Sequence, residues 1–258
     1  MDFCFSDTRI GVTHANGTAL LDTVVSRLAA RQGFALATIN LDHLVKLAHD
    51  PDFRAAYAAQ DIVVADGNPI VWLSRLAGSP VNLLPGSDLV LPLARAAAWL
   101  GVPLSMVGAT PEALDGAAQR LRAEVPQLKI GILHAPPMGF DPQGDEAQNV
   151  LMRLEKMGAG LCFVALGAPK QERFAMLGRR LAPQTGFASV GAGVEFLSGH
   201  QNRAPDWVRA LAMEWLWRAV WAPQRMAPRY LACLAILPGQ AMAALRQRHS
   251  QRGERERA

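Results

Sequence analysis

Short runs of apolar residues alternate along this chain with longer segments in which apolar residues recur every three or four positions. The first pattern is typical of strands buried on both faces, and the second is typical of helices that pack on a core by one face. Six strands are predicted, at residues 34–40, 61–66, 103–108, 128–133, 160–167 and 186–192. The helices predicted between them span residues 41–58, 68–77, 87–100, 111–124, 144–157 and 170–181.

This alternation predicts an α/β fold with a mostly parallel sheet and helices on both faces, of the Rossmann-like kind. Open sheets of this kind bind ligands beyond the carboxyl ends of their strands. Candidate functional residues are therefore those that directly follow each predicted strand.

Composition divides the 258 residues into a core and a basic tail. The net charge is +4, but the segment from Arg203 onwards carries ten arginines against four acidic residues, and four of the six tryptophans. We predict an α/β core over residues 1–200, an Arg/Trp-rich helical appendage over 201–245 and a disordered tail over 246–258.

Several functional classes lack their sequence signals. The three cysteines have no metal-like spacing and indicate reduced thiols in a cytoplasmic protein, while the histidines show no ligand spacing. The N-terminal segment does not resemble a secretory signal, and no apolar run is long enough to span a membrane. The phosphate-binding loop of P-loop enzymes, the dinucleotide fingerprint and the nucleophile elbow of α/β-hydrolases are all absent from the sequence.

Polar residues and glycines lie at the ends of five predicted strands or shortly after them: Thr38 and Asn40; Asp66; Gly108 and Thr110; Gly167, Lys170, Gln171 and Glu172; Gly191 and Glu195. Glycines let a ligand approach the backbone, and helix N-termini offer free N–H groups to an anion. Together with a carboxylate and a lysine, they suit a phosphate-bearing substrate and a proton transfer. Each residue also has a plain structural interpretation, as a turn residue, a helix cap or a solvated helix start.

At this point the sequence resembles the WecG/TagA/CpsF glycosyltransferases, glycosyltransferase family 26, over roughly residues 34–231. The matching motifs occur in the family's order: TIN (38–40), ADGNPIVW (65–72), GSDL (86–89), VGATPE (107–112), LGAPKQE (166–172), VGAGVEFLSG (190–199), RAPDW (203–207), EWLWR (214–218) and PQRMAPRYL (223–231). The resemblance implies a compact α/β fold of the family's own type, GT-E. It also implies an inverting transfer without a metal ion, from a UDP-sugar to a polyprenyl-diphosphate-linked acceptor at the inner membrane face.

The resemblance also assigns roles to residues. Asp66 matches the family's proposed catalytic base, and Thr38 and Asn40 match pocket residues that orient the sugar or the diphosphate. Gln171 matches a pocket glutamine, and Lys170 is placed to offset charge on the leaving UDP. Gly108, Gly167 and Glu172 belong to the donor side with them. Glu195 is expected to hold the ribose or the uracil.

Four positions depart from the family pattern. Leu83 replaces a frequent arginine, Glu195 lies in Val-Glu-Phe where Phe-Asp-Phe is common, and Ala212 and Ala222 replace frequent glycine and glutamate. The proposed base remains, so the reaction class is unaffected. The donor sugar stays open among UDP-glucose, UDP-N-acetylmannosamine and UDP-N-acetylmannosaminuronic acid.

The tail has the composition of a segment that lies at a membrane surface. Four arginines match the family's tail motifs and are candidates for contacts with lipid or with the acceptor diphosphate: Arg203, Arg218, Arg225 and Arg229. The apolar run over 230–245 is short and interrupted by Pro238 and Gly239, so we expect it to lie in the interface. The structural alternative is that the tryptophans pack on the core and the arginines are solvated.

Two other functional classes stay open. The first is a non-catalytic nucleotide-sugar-binding assembly subunit of the same fold, although such a subunit would be expected to have lost Asp66. The second is a nucleic-acid-binding protein, which explains the basic tail but not the residues after the strands. A transferase of the EC 2.4.1 type that binds the inner leaflet and no nucleic acid is our expectation, with homo-oligomerisation undecided.

Overall fold

The computed structural model describes residues 1–5, 8–199, 205, 208, 217 and 223–255. The strands of this part are β1 Asp2–Cys4, β2 Arg9–Gly11, β3 Phe34–Ile39, β4 Ile62–Ala65, β5 Leu104–Gly108, β6 Ile130–His134, β7 Gly160–Ala165 and β8 Thr185–Ser189. Its helices are α1 Gly17–Ala29, α2 Leu41–His49, α3 Pro51–Ala58, α4 Asn68–Leu76, α5 Gly86–Trp99, α6 Pro111–Glu124, α7 Asp145–Met157, α8 Lys170–Leu181, α9 Gly193–Ser198 and α10 Pro223–Arg255.

Six parallel strands form the central sheet in the order β4-β3-β8-β7-β5-β6. All six correspond to predicted strands, with ends that differ by at most three residues, so the predicted parallel α/β fold is confirmed. Strand β3 is buried at every position. Its continuous apolar sequence follows from this, because helices cover both faces of the sheet.

The two faces of the sheet carry different helices. Alternate residues such as Leu36 and Val64 point into a core shared with α1, α5, α6 and α9. On the opposite face, Ala37 and Val63 join a core formed with α2, α3, α4, α10 and the β1–β2 hairpin, while α7 and α8 cover Val164 and Phe187.

The directions in which the chain leaves the strands create a crevice. Strands β3, β4 and β7 lead into helices on one face, whereas β5 and β8 lead into helices on the other face. Neighbouring connections therefore diverge and leave space between them at the carboxyl edge of the sheet, which is where ligands bind in this type of fold.

The predicted helix over 41–58 is two helices. Asp50 interrupts it, because its Oδ1 accepts the N–H of Phe53 at 2.9 Å and Pro51 begins the next helix. This is a favourable helix start, with a capping acid followed by proline. The β1–β2 hairpin, α1 and α9 lie outside the elements predicted from the sequence.

Helix α10 packs along α2 and α4 with one face. Apolar residues of this inner face enter the core that contains β3 and β4: Ile236, Leu237, Ala241 and Ala244. The stripe continues as Gln247, which bonds to both main-chain groups of Asp2, and Gln251, which bonds to Ser79. Residues 246–255, which lie in the segment predicted to be disordered, continue α10 in the structure, because the helical spacing of inward-facing residues extends through this charged segment.

Asp61 joins three elements at the amino edge of the sheet. Its carboxylate accepts hydrogen bonds from Ala35 N–H at 2.8 Å, Arg27 Nη1 at 3.0 Å and Arg179 Nε at 2.8 Å. Burial alone would raise the pKa of Asp61, but the bonds from Ala35 and Arg27 and the charge of Arg179 outweigh it and lower the pKa.

We predict that Asp61→Ala lowers the free energy of unfolding by about 1–3 kcal/mol at neutral pH, because the buried Ala35 N–H and two arginines lose their acceptor. A lowered pKa stabilises the fold above the ordinary value of 3.8 and loses this effect as the pH falls through the folded-state value. The difference between the two proteins, measured by urea denaturation, should therefore shrink in acid. The exposed Asp22 of α1 supplies the control, Asp22→Ala, and equal losses from both substitutions would contradict the prediction.

Candidate active site

Asp66 lies at the carboxyl end of β4, where the chain turns into α4. Its N–H donates to Ile39 O at 2.8 Å, which extends the pairing of β3 and β4 by one residue. Gly67 follows with a φ of 104°, a left-handed conformation that glycine adopts without steric cost. The half-buried side chain of Asp66 accepts a hydrogen bond from Asn40 Nδ2 at 3.3 Å.

Asn40 is also the N-cap of α2. Its Oδ1 accepts the N–H of His43 at 3.1 Å. Thr38, two residues earlier, is only 4% exposed. The structure therefore brings Thr38, Asn40 and Asp66 together at the ends of two neighbouring strands, as predicted from the sequence.

A buried pair of aromatic side chains, His43 and Tyr57, supports the corner formed by Thr38, Asn40 and Asp66. The hydroxyl of Tyr57 donates to Thr38 O at 2.8 Å and lies 3.0 Å from His43 Nδ1. Since a carbonyl oxygen only accepts, the Tyr57 proton is committed to Thr38 O, and His43 Nδ1 carries the proton of the second bond. Burial lowers the pKa of His43 to about 4, so the imidazole is neutral at physiological pH.

The start of α8 adds two buried polar side chains. Gln171 and Glu172 are 3% and 0% exposed, and Gln171 Nε2 donates to Glu172 Oε1 at 2.9 Å. Gln60 Nε2 donates to the main-chain oxygen of Glu172 at 3.2 Å, which ties α8 to α3. Within the described part of the chain, Gln171 Oε1 and Glu172 Oε2 have no hydrogen-bond partner.

Burial shifts the titration of this cluster. Loss of water raises the pKa of Glu172 to about 7, although the bond from Gln171, the residue's own main-chain N–H and the charge of Lys46 act in the opposite direction. The pKa of Tyr57 is raised by burial and then by the nearby charges of Glu172 and Asp66. The hydrogen bond from Lys46 Nζ of α2 to Ala168 O, two residues before α8, places the start of α8 near the helix that follows β3.

Gly108 ends β5, which is the third strand from β3 in the sheet. At ordinary strand spacing, β5 and β3 are about 14 Å apart. The φ of Gly108 is 112°, and a Cβ at this position would lie 2.3 Å from Ala165 O. Only glycine fits here, so the backbones of the loops after β5 and β7 approach each other closely. Thr110 acts as the cap of α6, with Oγ1 accepting Ala113 N–H at 3.2 Å.

The remaining predicted donor-side residues lie at the same edge of the sheet. Gly167 is exposed with a φ of 71°. Lys170 Nζ donates to Phe140 O at 2.9 Å and so holds the loop between β6 and α7. Glu195 lies half-buried on α9, which belongs to the opposite face of the sheet from α8.

The candidate arginines are only partly covered by the structure. Arg203 and Arg218 lie outside the described residues, and the side chain of Arg225 is not described. Arg229 of α10 forms an ion pair with Asp42 at 3.1 Å. Asp42 also pairs with Lys46, whose Nζ donates to Ala168 O, so α10 is linked through α2 to the loop before α8.

Sequence reasoning missed His43, Tyr57, Gln60 and Lys46. The one signal available in the sequence is the spacing of Asn40 and His43, because an N-cap side chain bonds to the N–H of the third residue after it. Tyr57 and Gln60 enter the site through the packing of α3 on the sheet, which a single sequence does not reveal.

The site lies at the carboxyl edge of a parallel sheet, with an aspartate, amides and glycines from several strand ends. The aspartate, amides and glycines belong to the motifs noted above, and a model of the glycosyl transferase WecG/TagA/CpsF family matches residues 6–253. The chain belongs to this family, and its type of function is glycosyl transfer. Membership implies a nucleotide-sugar donor and a lipid-linked acceptor in general terms.

In residues 1–5, 8–199 and 223–255, no three histidine, cysteine, aspartate or glutamate side chains are grouped as metal ligands would be. Across that same part of the chain, every helix is too short or too polar to cross a bilayer.

We predict that Glu172 makes stability depend on pH in an unusual direction. A carboxyl whose pKa rises from 4.5 to about 7 on folding stabilises the fold most in acid, and this stabilisation is lost as the pH rises towards 7. Relative to Glu172→Gln, the wild type should therefore lose on the order of 3 kcal/mol of unfolding free energy across this window.

Urea denaturation at a series of pH values between about 4 and 8 measures this difference. The comparison with Glu172→Gln is needed because His43, with its lowered pKa, changes the stability of both proteins in the opposite direction. Glu124→Gln, at an exposed position of α6, is the control. A pH-independent difference between wild type and Glu172→Gln would show that Glu172 titrates normally.

Proposed function

We propose that the protein is an inverting glycosyltransferase of the EC 2.4.1 type, with Asp66 as general base. It transfers a sugar from a UDP-sugar, of the glucose, N-acetylmannosamine or N-acetylmannosaminuronic acid type, to a polyprenyl-diphosphate-linked saccharide. The product belongs to the synthesis of a surface polysaccharide or exopolysaccharide.

The proposed reaction is a single displacement. Asp66 takes the proton of an acceptor hydroxyl while that oxygen attacks the anomeric carbon of the donor. The bond from the anomeric carbon to the phosphate oxygen breaks, and UDP leaves with the electron pair. A positioned general base accounts for a rate factor of about 10²–10⁴.

The proposal rests on the position of Asp66 in this chain, which belongs to a glycosyltransferase family. The aspartate follows a buried strand at the carboxyl edge, its backbone is fixed by Ile39, and its carboxylate remains half-exposed. A base needs such a place, since it must be held firmly and still reach a substrate.

The donor side of the proposal rests on the start of α8. The buried Gln171 Oε1 has no partner in the described structure, and a ligand that reached it would have to donate a hydrogen bond. The Lys170 ammonium has two further hydrogens besides the one given to Phe140 O, and its charge would offset charge on the departing UDP. Glu195 remains our candidate for the ribose or the uracil.

A peripheral position on the inner face of the membrane is the second part of the proposal. Exposed apolar side chains recur along the outer face of α10: Leu231, Leu234, Met242 and Leu245. Arg229, Arg246 and Arg248 lie on the same helix. Apolar and basic residues together suit the boundary between acyl chains and anionic headgroups.

We predict that wild type releases UDP from one donor of a UDP-sugar panel, only when a synthetic polyprenyl-diphosphate saccharide is present. Asp66→Asn should reduce this rate by about 10²–10⁴-fold, because the amide cannot accept the proton. The assay uses liposomes with EDTA, and a coupled measurement of UDP release.

Asp115→Asn, at an exposed position of α6, controls for the chemical change alone and should retain wild-type activity. Full activity of Asp66→Asn would exclude the proposed base. Binding of UDP without release from any donor would favour an assembly subunit, and failure to bind UDP at all would reject the transferase.

We predict that wild type binds vesicles containing phosphatidylglycerol and is released by salt. Leu234→Glu should weaken binding on the order of tenfold, because a buried leucine contributes roughly 1.5–3 kcal/mol of transfer free energy. The matched control is Trp99→Glu, at an exposed residue ending α5 near the amino edge of the sheet. Vesicle flotation measures both, and equal binding by Leu234→Glu and wild type would exclude this face of α10 as the contact.

A further inference from the structure

Two hydrogen bonds determine which way the side-chain amide of Asn40 faces. Oδ1 accepts from His43 N–H at 3.1 Å, and Nδ2 donates to Asp66 Oδ2 at 3.3 Å. A peptide N–H only donates and a carboxylate only accepts, so both bonds require the same orientation of the amide. A rotation of the amide by 180° would lose both bonds together.

The backbone holds Asn40 beside Asp66 independently of these bonds. Ile39 and Ala65 are partners in the parallel ladder of β3 and β4, and Asn40 and Asp66 are the residues that follow them. The bond from Asp66 N–H to Ile39 O fixes the spacing at that point. The two side chains therefore meet because of the register of the sheet.

The cap itself is held by a closed ring of contacts. Asn40 bonds to the backbone of His43, the His43 ring bonds to Tyr57, and Tyr57 bonds to the backbone of Thr38, two residues before Asn40. His43 and Tyr57 are 6% and 1% exposed, so this ring is anchored in the core. Any movement of Asn40 away from Asp66 would strain a buried network.

We propose that Asn40 is the positioning residue of Asp66, a role that rests on the proposed function of Asp66 as the base. Its Nδ2–H fixes the rotation of the carboxylate and stabilises the ionised form, which is the form that accepts a proton. Asn40 thus acts through Asp66, whereas the resemblance assigns it to the sugar or the diphosphate.

Three variants separate this role from helix capping. Asn40→Ser keeps a good capping oxygen but is too short to reach Asp66, and Asn40→Asp keeps the cap and the shape but places a second carboxylate beside the first. Asn16 caps α1 through the same kind of bond, from Ala19 N–H at 2.9 Å, and its side chain is exposed. Asn16→Asp is therefore the matched control for a changed cap.

The first measurement is the titration of the Asp66 carboxyl carbon by NMR, in protein labelled with carbon-13 at aspartate, with the signal assigned by its loss in Asp66→Asn. We expect the titration midpoint to move upwards by about one pH unit in Asn40→Ser, and further in Asn40→Asp, since a donor is lost and then a like charge is added. Within the described part of the chain, the other charged or titratable groups near Asp66 include Tyr57 of α3, Glu172 of α8, Arg229 of α10, and Asp42, His43 and Lys46 of α2, and all are unchanged in these variants.

The second measurement is the pH profile of UDP release. In Asn40→Ser, the acidic limb should move to higher pH by the same amount, and kcat should fall about 10-fold to 100-fold with little change in the donor KM. A residue that binds the sugar directly would instead raise the donor KM and leave the profile in place.

An unshifted Asp66 titration in Asn40→Ser would overturn the positioning role, whatever the effect on rate. If the Asp66 titration shifts in the Asn40 variants but the wild type shows no turnover, the proposed reaction would be rejected. The positioning of Asp66 by Asn40 would still be established. Asn16→Asp should match the wild type in titration and rate, and a shift there would show that cap changes alone act on Asp66.

Discussion

The N-cap of α2 is the interaction on which the rest of the site depends. The amino-terminal end of a helix leaves N–H groups unsatisfied, and the side-chain oxygen of Asn40 accepts one of them. The remaining face of the same amide is then obliged to be a donor, directed at Asp66. A requirement of helix formation is thereby converted into the orientation of the carboxylate that we propose as the base.

Most of the sheet was predictable because its strands are buried on both faces. Strand β3 reads FALATI and β7 reads GLCFVA, and such continuous apolar runs follow from the two layers of helices. The missed elements have weaker signals, since the β1 and β2 strands contain three residues each and α1 begins at a glycine. The break at Asp50 is a local capping event inside a continuous helical pattern.

The candidate site was predictable where it follows strand ends, and unpredictable where it depends on packing. Thr38, Asn40 and Asp66 come directly from the end of a strand, whereas Tyr57 reaches Thr38 O from a helix of the adjacent layer. Glu172 was assigned to the donor side, and the structure adds that its carboxyl is wholly enclosed. The sequence after residue 245 is rich in charged residues, so the inward-facing positions of α10 that continue to Gln251 were not recognised as helical.

Asp42 gives α10 a thermodynamic link to the crevice. It follows Asn40 by two residues and pairs with Arg229, while Lys46 carries the contact onward to Ala168 in the loop before α8. Linkage is reciprocal for binding free energies, so the factor by which attachment of α10 changes the affinity for a ligand at the start of α2 equals the factor by which that ligand changes the attachment of α10. Ligand binding in the crevice and attachment of the last helix to the core are in this sense two coupled equilibria.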